Sequence, residues 1–168
     1  MERIAAKIDS IIEKRRNNPQ KIALVNQDIT PENIIMNTDD TAIIDPLPKL
    51  DFDVKYAGYF VFCYKFLLPA YSNAPRYRHH SYSQHAGKLS AMADGFIKGY
   101  TNHDTDQIEQ IMNEYILWVI LEAYEHFEVL NEENIDNKTL QQMGNKEMIK
   151  NRLELCLNQL ESLCIDLG

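Results

Sequence analysis

The chain has 168 residues, 45% of them hydrophobic and 10% aromatic, with a formal net charge of −8. That length suits one domain with a core of its own, and the apolar content excludes an intrinsically disordered chain. The acidic balance and the lack of a basic patch argue against a nucleic-acid partner; with no apolar run near the ~20 residues that span a bilayer, and no apolar signal segment after Met1-Glu2-Arg3-Ile4, we expect a soluble, cytoplasmic protein with no membrane contact.

The first element is a helix from Glu2 to about Arg16. Ile4, Ile8, Ile11 and Ile12 make one apolar stripe at helical spacing, and Asn17-Asn18-Pro19 stops it. The period then changes. Ile22-Ala23-Leu24-Val25 suits a buried strand, while Asn33 to Met36 and Thr41 to Ile44 predict a β-hairpin turning through Asn37-Thr38-Asp39-Asp40.

Helix resumes at Val54 and runs to about Leu68, apolar nearly all round and closed by Pro69. Tyr56, Tyr59, Phe60, Phe62, Tyr64 and Phe66 are too dense there for all to be buried, so some are expected to face another lobe or a partner chain. Ala74 to Gln84 reads as a loop. Its His79-His80 pair invites a metal or anion site, but a solvated loop is the plainer expectation. A helix follows from Gln84 to Tyr100, with Gly99 helping to end it. Another runs from an N-cap at Asp104 or Thr105 to about Val129, with Tyr115, Trp118 and Tyr124 read as core. The last helical stretch, Asn137 to Leu163, is broken by Gly144. Cys63, Cys156 and Cys164 form no Cys-x-x-Cys pair and are expected as buried thiols.

The fold class is therefore α+β and mostly helical, in a single domain over residues 1–168. A helix occupies 1–17, a polar loop and hairpin 20–53, and a helical subdomain 54–168. The chemistry concentrates in Asn26-Gln27-Asp28-Ile29-Thr30-Pro31-Glu32-Asn33 and in Ile43-Ile44-Asp45. An Asp leaving a strand can accept the proton of an attacking hydroxyl. An Asn one tight loop later can turn its amide oxygen toward a nearby cation, and an Asp at the end of the hairpin can reach the same ion from another side. Two hard oxygen donors plus phosphates suit Mg²⁺.

This string resembles the catalytic segment of the aminoglycoside phosphotransferase and choline kinase family, whose His-Gly-Asp-x-x-x-x-Asn loop precedes a hairpin ending in Ile-Asp. Leu50-Asp51-Phe52-Asp53-Val54 is similar to the segment that follows. The resemblance implies the C-terminal lobe of a protein-kinase-like fold, with the hairpin carrying the catalytic loop and the metal Asp. It makes Asp28 the catalytic base and Asn33 and Asp45 the Mg²⁺ and nucleotide ligands. Asp53 and Asn26 become structural, with Asp53 capping the next helix and bracing the loop. Mg²⁺ and ATP are the implied cofactors, and the implied activity transfers the γ-phosphate to a hydroxyl of an aminoglycoside, choline or sugar-like acceptor.

Asn26 and Gln27 stand where the family has His and Gly, and Pro46 where an aromatic residue or Gly often follows the metal Asp. The β-rich nucleotide-binding N-terminal lobe is absent from this sequence. We therefore expect a fragment or truncated relative, completed by a separate N-lobe chain or by homo-oligomerisation. The alternatives are a catalytically inactive kinase-like binding or scaffold module, and an unrelated helical domain. In the resembling family the helical part binds the acceptor, and Asp94, Asp104, Asp106, Glu109 and Glu114 are candidates to line that site.

Overall fold

A computed structural model of the chain describes residues 2–165, and side chains over residues 4–164. Met1 and residues 166–168, which the expected domain includes, lie outside the described residues. Helix α1 (Glu2–Asn17) leads into strand β1 (Ile22–Asn26), a 3-10 turn (Pro31–Asn33), and strands β2 (Ile34–Met36), β3 (Thr41–Ile43) and β4 (Pro48–Phe52). Helix α2 (Asp53–Phe62), a π turn (Cys63–Leu67) and α3 (Leu68–Ala70) follow without a break. An irregular strap leads to a 3-10 turn (Tyr82–His85), then α4 (Ala86–Thr101), α5 (Thr105–Asn131), α6 (Asn137–Met143) and α7 (Lys146–Ile165). The mostly helical α+β expectation holds, and among the described residues no helix is long and apolar enough to cross a membrane.

The strands nest. β2 pairs antiparallel with β3, Ile34 opposite Ile43. Outside that hairpin β1 pairs antiparallel with β4, from Ile22 opposite Phe52 to Asn26 opposite Pro48. Sequence reading missed β4, because Pro48, Lys49 and Asp51 mask its short alternation. Pro48 is tolerated as the first residue of a strand, where no ladder hydrogen bond is required of it.

Capping sets several boundaries. Asp104 takes the amides of Asp106 and Gln107 at 2.9 and 3.0 Å and starts α5, while Asp136 does the same for Lys138 and Thr139 at α6. Gly99 does not end α4; that helix runs two residues further to Thr101 and is capped by Asn102, whose φ of 48° is a left-handed conformation that Asn accepts. Gly144, at φ +84°, separates α6 from α7 as the sequence suggested. Pro69 does not stop its helix at once. Proline has no N–H to donate, and the wider π turn just before it carries the chain on to Ala70.

The core lies where α2 and its π turn cross α5, with α4 and α7 on either side. Val61, Tyr64, Ile111, Ile116, Val119 and Cys156 are fully buried there. Rings interlock across the crossing, with Tyr59 against Trp118 at 4.7 Å and the Trp118 indole N–H donating to the Lys55 carbonyl at 3.1 Å. Of the six dense aromatics of residues 56–66, Phe62, Tyr64 and Phe66 are buried, while Tyr56, Tyr59 and Phe60 are half-buried, so not all are buried and none is fully exposed. The most exposed large apolar side chains lie on the strands, where Ile22, Leu24 and Leu50 are 66%, 72% and 71% exposed. Tyr115 is core, Trp118 is half-buried, and Tyr124 faces outward at 59% exposed. Cys63 and Cys156 are buried, and Cys164 only partly.

Gly58 sets the spacing of α2 and α5: a Cβ there would collide with the Cβ of Glu114 and crowd the backbone at 3.1 Å. Gly58→Ala should therefore lower unfolding stability by about 1–3 kcal/mol, read by urea denaturation. Gly87→Ala, with open space around it, should not.

Candidate functional site

The loop after β1 is held by its own polar side chains. The Asn26 amide donates to the Asp28 carbonyl at 2.8 Å, and its oxygen accepts the Asp28 and Leu47 amides at 3.2 and 2.8 Å. Gln27 N–H donates to the Leu47 carbonyl at 3.0 Å. Farther along, Asn33 N–H donates to the Thr30 carbonyl at 3.0 Å, and the Asn33 carbonyl accepts from Ile44 at 2.9 Å. Asp45 is thus bracketed by residues tied to the loop on both sides. Its backbone turns through φ 47°, a left-handed conformation that Asp tolerates at a cost of about 1–2 kcal/mol, and non-glycine residues held this way cluster at functional sites. The segments carrying Asn26, Asp28, Asn33 and Asp45 therefore form one hydrogen-bonded frame.

Two packed residues support this frame from the helical side. The Tyr64 hydroxyl, from a fully buried ring, donates to the Ile29 carbonyl at 2.9 Å. Glu32, in the 3-10 turn, accepts from the Tyr82 hydroxyl and lies 2.9 Å from His80 Nδ1. Partial burial works against ionisation of Glu32, but Tyr82 and His80 hold its carboxyl below the ordinary range. The strap is therefore docked, with Tyr82 buried, rather than simply solvated. No group of three metal-ligating His, Cys, Asp or Glu side chains occurs among the described residues.

Asp53 stands apart. It is the first residue of α2 rather than its N-cap; its Oδ1 accepts the adjacent Val54 amide at 2.7 Å and its Oδ2 lies 3.7 Å from Lys21. Lys21 and Asp53 flank the opposite end of the β1–β4 ribbon from Asn26, about 17 Å away at strand rise. Asp53 fixes the entry to α2 and makes no described hydrogen bond to the Asn26–Asn33 loop.

A cleft of about 270 Å³ opens beside Asp28. Gln27, Asp28 and Thr30 form one wall, Tyr59, Tyr71 and Tyr77 a second, and Glu122, Glu125 and Gln142 a third. The five acids expected to line an acceptor site are elsewhere. Asp94 pairs with Lys65 at 2.6 Å, Asp104 is a helix cap, Glu109 pairs with Lys14 at 2.7 Å and Glu114 with Arg15 at 2.8 Å. Asp106, Glu109 and Glu114 line a different cleft, beside α1.

Behind the cleft runs a buried polar network that sequence reading missed. The Tyr71 hydroxyl donates to Glu122 at 2.6 Å, and the Arg152 guanidinium lies 4.3 Å from the Tyr71 ring centre. Arg152 Nε donates to His126 Nε2 at 3.1 Å, so His126 Nε2 accepts and its Nδ1 carries the proton it donates to the Glu122 carbonyl at 2.7 Å. Arg152 also donates to the Asn73 side chain and the Met143 carbonyl. Burial pushes the His126 imidazolium down to about 4 and the Glu122 carboxyl up to about 7. One signal was available. Arg152 falls between Ile149 and Cys156 on the apolar face of α7, and His126 follows Val119 and Ala123 on that of α5.

Two oxygen-bearing side chains of the frame, Asn33 and Asp45, make no described side-chain hydrogen bond or ion pair. An amide oxygen and a carboxylate fit Mg²⁺, which completes its shell with water and phosphate oxygens rather than an all-protein cage. On the other side of β1, an apolar cleft of about 910 Å³ is lined by Ala23, Val25, Tyr56, Phe60, Met92 and Phe96 among others. No protein-family model, curated protein or solved structure matches the chain.

Asn26→Ala should cost about 1–3 kcal/mol, because the Asp28 and Leu47 amides lose their acceptor. Amide exchange at those two positions, followed by NMR, should accelerate well before that of the α2–α5 core. Glu122 holds its proton more tightly folded than unfolded. Its contribution to stability is full below about pH 4.5 and is lost as pH rises through about 7. Glu122→Gln keeps an acceptor for Tyr71, so its stability relative to the parent should improve from pH 5 to about 7 and then level off in parallel denaturant titrations.

Proposed function

We propose that this chain is the catalytic half of a small-molecule phosphotransferase, with the C-lobe architecture of protein-kinase-like folds, moving the γ-phosphate of ATP to a hydroxyl. One observation carries the reading. The Asn26-centred frame ties the chain around Asp28, Asn33 and Asp45 together, leaves the last two side chains uncommitted, and puts Asp28 on the wall of a cleft.

In that role Asp28 accepts the proton of the acceptor hydroxyl as its oxygen attacks phosphorus. Thr30, whose hydroxyl donates to Asp28 Oδ1 at 3.1 Å, orients the carboxylate. Asn33 and Asp45 would hold Mg²⁺, which when bound supplies charge neutralisation at the transferred phosphate. Glu32, anchored by Tyr82, fixes the turn between base and ligand. The open apolar strands at Ile22, Leu24 and Leu50 suit coverage by a second lobe, the source of phosphate-clamping groups.

A second reading, a ligand-binding module without transfer activity, is favoured by the absence of Lys and Arg from the lining of the Asp28 cleft. Calorimetric titration of Mg·ATP into the purified chain separates the two. The catalytic reading expects saturable heat that survives in Asp28→Asn and disappears in Asp45→Asn. Silence in the parent chain would leave the binding-module reading standing.

A further inference from the structure

A second polar cleft, of about 370 Å³, lies between α1 and α5 and shares no lining residue with the one beside Asp28. Its two helical walls carry opposite charge. Lys14 and Arg15 stand on α1, and Asp106, Glu109 and Glu114 on α5. The facing charges nearly balance. A bare anion or a bare cation would meet repulsion from one wall, whereas a molecule carrying both signs finds a partner on each. About twelve water volumes fit in the space, which suits one metabolite-sized molecule.

One atom in this wall lacks a donor. Asn113 lines the cleft and is 9% exposed, and its Oδ1 is a buried oxygen with no hydrogen-bond partner among the described residues. Leaving an acceptor dry and unpaired is costly. Flipping the amide gives no relief. Asn113 joins Lys14 in holding the Glu109 carboxyl below its usual range, and a flip would set Oδ1 against that carboxylate. The next residue, Glu114, is 7% exposed, and its Cβ packs against Gly58 of α2, which fixes this stretch of α5. Arg15 Nε lies 2.8 Å from Glu114 Oε1, and no described hydrogen bond occupies the two Nη groups of that guanidinium. The pair sets a cation beside an anion, as the ammonium and carboxylate of an α-amino acid are set. Asn18, Gln20 and Gln110 add three primary amides to the lining, each able to donate and accept at once. Lys14 and Arg15, 54% and 37% exposed, are long side chains that can shift as a ligand enters.

We propose that this cleft binds a free α-amino acid with a side-chain amide. The ammonium donates to Asn113 Oδ1 and to the Glu114 carboxylate, the Arg15 guanidinium takes the carboxylate, and the side-chain amide pairs with those of the lining. The ligand bridges α1 to α5, which the two ion pairs Lys14–Glu109 and Arg15–Glu114 otherwise join. No bond is made or broken, and the site depends on neither nucleotide nor the phosphotransfer reading.

The test is calorimetric titration of L-glutamine into the full chain at pH 7, without Mg²⁺ or ATP. N-acetyl-L-glutamine, which lacks the ammonium, and L-glutamine amide, which lacks the carboxylate, are titrated beside it. Saturable binding of L-glutamine is expected, at least about tenfold tighter than either analogue. Arg15→Gln and Asn113→Leu should each weaken it by about tenfold. Asn113→Leu removes the unpaired oxygen, so its denaturation midpoint should hold or rise, and circular dichroism checks the fold of both variants. In NMR spectra the Asn113 side-chain amide should move on saturation, while that of Gln142, in the cleft beside Asp28, stays in place. No saturable binding of L-glutamine, equal binding of either analogue, undiminished affinity in Arg15→Gln, or shifts at Gln142 in place of Asn113 would each overturn the proposal.

Discussion

The close crossing of α2 over α5 is the constraint from which the other parts take their positions. Gly58 lets the two backbones approach until a methyl group would not fit, and the surrounding rings then interlock. Burial of a side chain the size of Phe or Tyr stabilises by roughly 1.5–3 kcal/mol, so the cluster of Phe62, Tyr64, Phe66 and Tyr115 supplies much of the cohesion. Helix α2 sets Tyr59 in the wall of the cleft, and the π turn that continues it aims Tyr64 at the Ile29 carbonyl. Packing in the helical half thereby fixes where the polar loop of the β half comes to rest.

The β half contributes little core. Four strands of three to five residues pair as two ribbons, and Ile22, Leu24 and Leu50 stay open to solvent. Two-stranded ribbons are marginal in water. What holds this region is polar instead: Asn26 satisfies three backbone groups, and Asp51 takes both Lys49 and Lys55, which holds its carboxyl well below the usual range. A loop organised by side-chain hydrogen bonds keeps its geometry without burying its carboxylates, and Asp28 stays accessible at the cleft.

The Arg152–His126 network solves the reverse problem of burying charge between α3, α5 and α7. Arg152 is 2% exposed and His126 0%; the described hydrogen-bond partners of the guanidinium are neutral, and the Glu122 carboxyl is the acidic group close enough to act on its charge. Removing such partners from a buried charge is costly, so the network rigidifies the back of the cleft. It also holds Tyr71 in position to donate to Glu122, which makes the helical packing and the electrostatics of the cleft one structural unit.

Much of the helical frame was legible in the sequence. The isoleucine stripe of α1, the Asp104 cap, the Gly144 break and the hairpin at Asn37–Asp40 each follow from local period or turn chemistry, which act within a few residues. The loop from Asn26 to Asn33 was legible as a unit because its spacing is local too. Strand β4 was not: its charged residues hide a short alternation, and only pairing with β1, more than twenty residues earlier, makes it a strand. Neither were the exposure of Tyr124, the docked strap, nor the cleft that unites Asp28 with Glu122 and Glu125. The sequence alone determined which helices form and where the polar loop between them lies. The tertiary structure decided which acids share a cleft with Asp28, because that depends on which helix faces meet, and facing is set by long-range packing rather than by any pattern along the chain.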